Sequence, residues 1–129
     1  MKKKTLPAPS PVALVTGAGS GVGRAVVHQL ATEGWRIALV GRRPDALAET
    51  IRLAPAATRK RLVAFACDIG DHAAVGKMSA AVLARFGRVD AFVNAAGTNG
   101  GRALTLAGMK YQFESQPKVV RQSNYHNWF

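Results

Sequence analysis

The stretch Thr16-Gly17-Ala18-Gly19-Ser20-Gly21-Val22-Gly23 is the part of this sequence best suited to chemistry. Glycine tolerates positive φ and presents no Cβ, so a run of this kind lets a diphosphate close on bare backbone N–H groups. A helix starting at Gly21 adds the positive end of its dipole. Gly17, Gly21 and Gly23 are the candidates for that close approach. Further on, Val40-Gly41-Arg42-Arg43 offers no carboxylate to a ribose 2′-hydroxyl and instead carries two guanidinium groups. That is the arrangement that pairs with a 2′-phosphate through charge-assisted bonds. The residue types therefore point to a dinucleotide bearing that phosphate, NADP rather than NAD. Two plainer readings stay open on the residues alone: a glycine turn that only packs a helix tightly on a sheet, and arginines that are solvated loop charges.

Such a loop works only between a strand and a helix, and the flanking sequence supplies both. Val12 to Thr16 is a nearly continuous apolar run that stops in glycine, as expected of a strand buried on both faces. From Gly21 to Glu33, Val22, Val26 and Leu30 recur at four-residue spacing with Ala25 beside them, and Gly34 follows as a stop. Arg36 to Val40 reads as a second strand. Pro44-Asp45 opens a second helix, with Asp45 as its expected cap, Leu47 and Ile51 on one face and Pro55 at its end. Leu62 to Cys67 gives a third strand. Asp71 is placed to cap a third helix bearing Val75, Met78, Val82 and Phe86 and closed by Gly87, and Val89 to Asn94 gives a fourth strand.

Strands alternating with helices of this length define an α/β fold, a doubly wound parallel sheet of Rossmann type with four strands, about half of such a fold. The expected divisions are a basic arm over residues 1–10, a dinucleotide-binding half-domain over 11–105, and a tail over 106–129 with no sustained period of either kind.

The segment from Val12 to about Thr105 resembles the short-chain dehydrogenase/reductases. The glycine loop is similar to that family's T-G-x-x-x-G-x-G pattern, and Arg42 stands where its NADP-preferring members carry a basic residue. Cys67-Asp68-Ile69 resembles its adenine-contacting Asp plus aliphatic pair, and Asn94-Ala95-Ala96-Gly97 its N-N-A-G element with one asparagine replaced by Ala95. The resemblance implies that Ser20 and Val22 line the phosphate loop, that Asp68 and Ile69 hold adenine, and that Asn94 and Gly97 approach the nicotinamide ribose, with Ala95 and Ala96 beside them. It also implies hydride exchange between nicotinamide and a carbonyl or alcohol. The family's proton chemistry needs a serine and a tyrosine with a lysine four residues later. Here Ser115 follows Tyr111 at that distance and Phe129 follows Tyr125, so the catalytic set is missing and no catalytic residue is assigned. Lys110 adjoins Tyr111, but neighbours along a chain point in different directions. The expectation is a truncated cofactor-binding portion that does not catalyse alone. The alternatives are a non-enzymatic nucleotide- or partner-binding module and a gene fragment without function.

Composition narrows these readings. Charged residues make up 19% of the chain and hydrophobic ones 48%, values typical of a folded globular domain. The net charge of +11 favours a phosphate-bearing partner. Lys2-Lys3-Lys4 and Arg59-Lys60-Arg61 are too short and too poor in aromatic neighbours for a nucleic-acid surface, and are read as solvated charge. His28, His72 and His126 lack metal-ligand spacing, and His28 and His72 are expected as exposed helix residues. The lone Cys67 reads as a buried structural thiol in a reducing compartment. Pro7, Pro9 and Pro11 interrupt any signal-like start, and no run approaches the roughly 20 apolar residues needed to cross a bilayer, so a cytoplasmic protein is expected. A bare sheet edge beside the fourth strand, with Tyr125, Trp128 and Phe129 nearby, suggests self-association.

Overall fold

The computed structural model describes residues 10–96 and the backbone of a further strand at 121–124. The glycines and apolar runs build what they predict. Strand β1 (Val12–Thr16) leads into helix α1 (Gly21–Thr32), then β2 (Arg36–Gly41), α2 (Pro44–Leu53), β3 (Leu62–Ala66), α3 (His72–Phe86) and β4 (Ala91–Asn94). All strands are parallel, in the order β3-β2-β1-β4-β5, where β5 is Arg121–Asn124. The sheet thus reverses direction of growth between β1 and β4, the position at which open α/β sheets form a crevice outside the carboxyl ends of their strands.

Alternation along the central strands divides the core into two layers. Leu14, Val40 and Phe92 face α3 and pack with Val75, Met78 and Val82. Ala13, Val15, Leu39 and Val93 face the other way and pack with Val27, Ala31 and Leu47 of α1 and α2. Every residue of β1 is buried, as the uninterrupted apolar run requires. In β3, burial alternates because that strand lies at the sheet edge.

Helix ends follow local chemistry. Asp71 accepts hydrogen bonds from the N–H groups of Ala73 and Ala74, and Gly87 closes α3 in the left-handed conformation with φ 77°. Asp45, expected as a cap, is not one: the N-cap of α2 is Arg43, and Asp45 lies in the first turn paired with that arginine at 3.3 Å. Proline at the first helical position leaves one fewer donor to cap.

Other expectations need correction. The innermost residues of α1 are Gly23, Val27 and Ala31, one position on from the larger Val22, Val26 and Leu30, which are half-buried, while Ala25 is exposed. Small residues sit inward because the start of α1 rests directly on the glycine loop. The basic run Arg59-Lys60-Arg61 ends a 3₁₀ segment, Ala56–Arg61, for which the sequence pattern carries no signal. Two of its members are not mere solvated charge. Arg59 donates to the carbonyls of Arg52 and Ala54, and Arg61 to that of Ala31, which satisfies carbonyls at or just beyond the ends of α2 and α1. The edge beside β4, expected to be bare, carries β5 in parallel register from Ala91 with Arg121 to Asn94 with Asn124. That strand arises within the tail expected to lack structure. Tyr111, Tyr125, Trp128, Phe129 and His126 lie outside the described residues, as do residues 1–9 of the basic arm and Gly97.

Candidate functional site

At the carboxyl end of β1 the chain must leave a fully buried strand and enter α1 within four residues. Gly17 makes that turn with φ 63°. A Cβ on Gly17 would lie 2.7 Å from the Ala96 Cα and 2.8 Å from the Ala95 carbonyl oxygen. One on Gly23 would stand 1.9 Å from the Gly17 carbonyl oxygen. Gly17 is thus held between the start of α1 and the segment that follows β4, and only hydrogen fits on either side. Gly21 also takes positive φ, 54°, but with open space around it. Its demand is conformational alone.

The N-terminus of α1 differs from that of α3 in a way that bears on ligands. Ser20 is its N-cap, but the side chain makes no capping bond, and the first turn holds no acidic residue. No described side chain caps the leading N–H groups of the helix, which suits them to an anion.

A cleft of about 740 Å³ opens here. Gly17, Gly19 and Ser20 of the loop, the exposed Arg42 and Arg43, and Cys67, Ile69 and Ala96 all line it. Arg42 is exposed and has no hydrogen-bond or ion-pair partner among the described residues. Arg43 is also exposed but engages Asp45, whose carboxyl that bond holds below its usual range. The two arginines, equivalent in sequence, therefore differ in availability. Ile69 is buried and joins both the cleft wall and the α3 core. Asp68 is exposed, and its Oδ1 accepts from the Gly70 N–H at 2.9 Å in a turn, beside the cleft wall and not in it. Cys67 is buried on the cleft wall, and burial pushes its thiol up, with Asp68 and Asp71 adding to the effect, so it stays protonated.

Asn94 and Ala95 are buried behind the cleft. The Thr16 hydroxyl donates to Asn94 Oδ1 at 2.9 Å and accepts from the Ala96 N–H at 3.3 Å. Asn94 thereby clamps β1 to β4 at the loop. Val22 is half-buried and Gly21 exposed, and neither forms cleft wall.

Sequence reasoning placed Thr16 at the head of the loop without its bonds to Asn94 and Ala96, and missed Arg24 and Thr50. Thr16 carries a signal, a polar residue closing an apolar run at the head of the glycine loop. Arg24 and Thr50 carry none, since 26 residues separate a bond of 2.9 Å between them. His28, expected to be exposed, is half-buried, and its Nε2 donates to the Thr50 carbonyl at 2.8 Å. Among the described residues no group of three or more His, Cys, Asp or Glu is placed to hold a metal ion, and no helix is long and apolar enough to cross a membrane.

A parallel α/β sheet with a glycine loop at the switch point between β1 and β4 defines a Rossmann-type protein. The chain belongs to the short chain dehydrogenase family, whose family model matches residues 11–119. It is 45% identical over 86 residues to D-threitol dehydrogenase of Mycolicibacterium smegmatis, covering 67% of this chain and 33% of that protein. It is similar to an actinorhodin polyketide ketoreductase solved with NADPH, with a TM-score of 0.62 and 35% identity over 70% of this chain and 34% of that one. A short-chain dehydrogenase/reductase of Burkholderia phymatum solved with NAD shares the fold, with a TM-score of 0.74 and 24% identity over 89% of this chain and 48% of that one. The chain spans between about a third and two fifths of the length of the curated relatives it resembles most in sequence, 33% of the D-threitol dehydrogenase and 37% of a short-chain reductase of Streptomyces niveus among them.

Proposed function

We propose that this chain is the NADP-binding portion of a short-chain oxidoreductase. The observation that carries the reading is Arg42, exposed and without a partner among the described residues, just after β2 and lining the same cleft as a glycine loop whose helix start no described side chain caps. In this reading Gly17, Ser20, Gly21, Val22 and Gly23 shape the seat of the diphosphate. Arg42 takes the 2′-phosphate, with Arg43 as a second donor only when it leaves Asp45. Ile69 and Cys67 supply an apolar wall for adenine, with Asp68 at its margin. Asn94, Ala95, Ala96 and Gly97 lead toward the nicotinamide ribose.

The residues fit such a ligand. The loop has room for backbone contact, α1 carries no acid in its first turn, and the rim presents a guanidinium that no described residue engages. A bound nicotinamide would supply hydride transfer to or from a carbonyl or alcohol. The residues of this chain bind and orient; its 129 residues contain no Tyr-x-x-x-Lys pair to move the accompanying proton. The relatives solved with NADPH and with NAD together leave the choice of dinucleotide to this chain's own rim, and Arg42 favours the phosphorylated form.

Calorimetric titration with NADPH and NADH, in the wild type and Arg42→Ala, tests the reading. Hydrogen bonds to a charged group contribute about 1.5–3 kcal/mol, so Arg42→Ala should weaken NADPH by roughly 10- to 100-fold. NADH should change by less than about threefold. Equal affinity for both dinucleotides in the wild type, or equal loss in the variant, contradicts the assignment.

A further inference from the structure

The glycine loop is held from below by a network that its diphosphate role does not by itself explain. Arg24, in the first turns of α1, donates through Nη2 to the Gly19 carbonyl at 2.6 Å and through Nε to Thr50 Oγ1 at 2.9 Å. Thr50 is fully buried in α2. Its hydroxyl lies 2.7 Å from the Ala18 carbonyl and 3.2 Å from the Ala46 carbonyl. The second contact is the local bond any helical threonine makes to the carbonyl four residues back. The shorter one leaves the helix for the loop. A hydroxyl has one proton, and with Arg24 donating to its oxygen, that proton goes to Ala18. His28 meanwhile donates to the Thr50 carbonyl at 2.8 Å and ties this turn of α2 to α1.

We infer that Arg24 and Thr50 are positioning residues that draw two consecutive loop carbonyls, Ala18 and Gly19, away from the bound diphosphate and thereby turn the next N–H groups toward it. In a planar trans peptide the C=O and N–H point in opposite directions, so fixing the Ala18 oxygen fixes the Gly19 N–H, and fixing the Gly19 oxygen fixes the Ser20 N–H. A glycine loop is the backbone least able to hold such an orientation unaided, because either peptide plane can rotate at small cost. Flipped, each plane would present a carbonyl oxygen to an anion. The buried Thr50 hydroxyl and the half-buried Arg24 guanidinium supply the missing constraint. Arg24 also borders the cleft and adds a positive charge beside the loop.

The inference rests on the cleft being a dinucleotide site, and the test separates the two. Wild type, Thr50→Val and Thr50→Ser are titrated with NADPH and with adenosine 2′-monophosphate, which has the adenine and 2′-phosphate but no diphosphate. Thermal unfolding of each variant is recorded alongside. Thr50→Val should weaken NADPH by about tenfold or more while adenosine 2′-monophosphate stays within about threefold, and Thr50→Ser should restore NADPH binding. Should Thr50→Val fail to fold, Arg24→Gln is read by the same two ligands. Wild-type NADPH affinity in the folded variant, or equal loss of both ligands, overturns the positioning role. A wild-type chain that binds neither ligand overturns the reading of the cleft itself, and this role with it.

Discussion

Gly23→Ala should remove dinucleotide binding and destabilise the fold by about 3 kcal/mol or more, at the upper end of overpacking effects. The added methyl would lie 1.9 Å from the Gly17 carbonyl oxygen and 2.5 Å from its carbon. Both are backbone atoms and have no rotamer to escape through. Gly17 has nowhere to retreat, since its other side faces Ala95 and Ala96 at under 3 Å from any Cβ and its φ is 63°. The first turn of α1 must therefore lift from β1, which moves the N–H groups that the anion needs. Gly76→Ala is the matched control. Gly76 lies within α3, and a methyl added there would meet nothing within 4 Å, so the substitution should stabilise by up to about 1 kcal/mol. Urea unfolding and NADPH titration of the two variants check this. A Gly23→Ala protein with wild-type midpoint and affinity would contradict the tight seat of α1 on the loop.

Asp90→Ala should cost about 3 kcal/mol, from the opposite end of the same two strands. Asp90 is buried where β1 begins and β4 is about to start, and its Oδ2 accepts from the Val12 N–H at 2.8 Å. Arg88 pairs with both of its oxygens. Burial alone would raise this carboxyl, but Arg88 and the Val12 N–H outweigh it and hold the group below its ordinary value of 3.8. A lowered folded value means that the stabilisation is complete above the unfolded value and is lost as pH falls through the folded one. Alanine leaves the Val12 N–H without an acceptor and Arg88 without its partner. Asp90→Asn keeps an acceptor for Val12 and removes the titration. Its stability deficit should be full at neutral pH and shrink as the pH falls from the ordinary value of 3.8 toward the lowered folded one. A deficit that grows on acidification would contradict the sign.

Asp90 and Asn94 together explain why the cleft keeps its shape. One pins β4 to β1 at their amino ends, the other through Thr16 at their carboxyl ends. The role of Asp90 has no local signal, because it depends on strands that are 78 residues apart along the chain.

What is legible in the sequence is what local chemistry controls. Val12 to Thr16, the turn at Gly17, the cap at Asp71 and the stop at Gly87 each follow from a few adjacent residues, and each stands where its pattern puts it. The parallel, doubly wound sheet follows from the alternation of strands and helices, while its order, β3-β2-β1-β4-β5, is set by pairings that alternation leaves open. The buried face of α1 departs from the pattern of its large apolar residues because the close approach of Gly17 and Gly23 selects small residues for depth. The unequal standing of Arg42 and Arg43 is hidden because it turns on the side-chain bond to Asp45. Arg24, Thr50, Arg59 and Arg61 look like ordinary helix and loop residues, and their partners lie on other turns or other elements. The strand Arg121–Asn124 has no period of its own and is defined only by its pairing with β4.

The most direct test of the central claim is a titration of the ¹⁵N-labelled chain with NADPH, followed through its backbone amide resonances. The largest shifts should fall on residues 17–23, on Gly41 to Arg43 and on Ile69, with the amides of Asp90 and the α3 helix little changed. Shifts absent at saturating NADPH, or centred away from the glycine loop and Arg42, would contradict that claim.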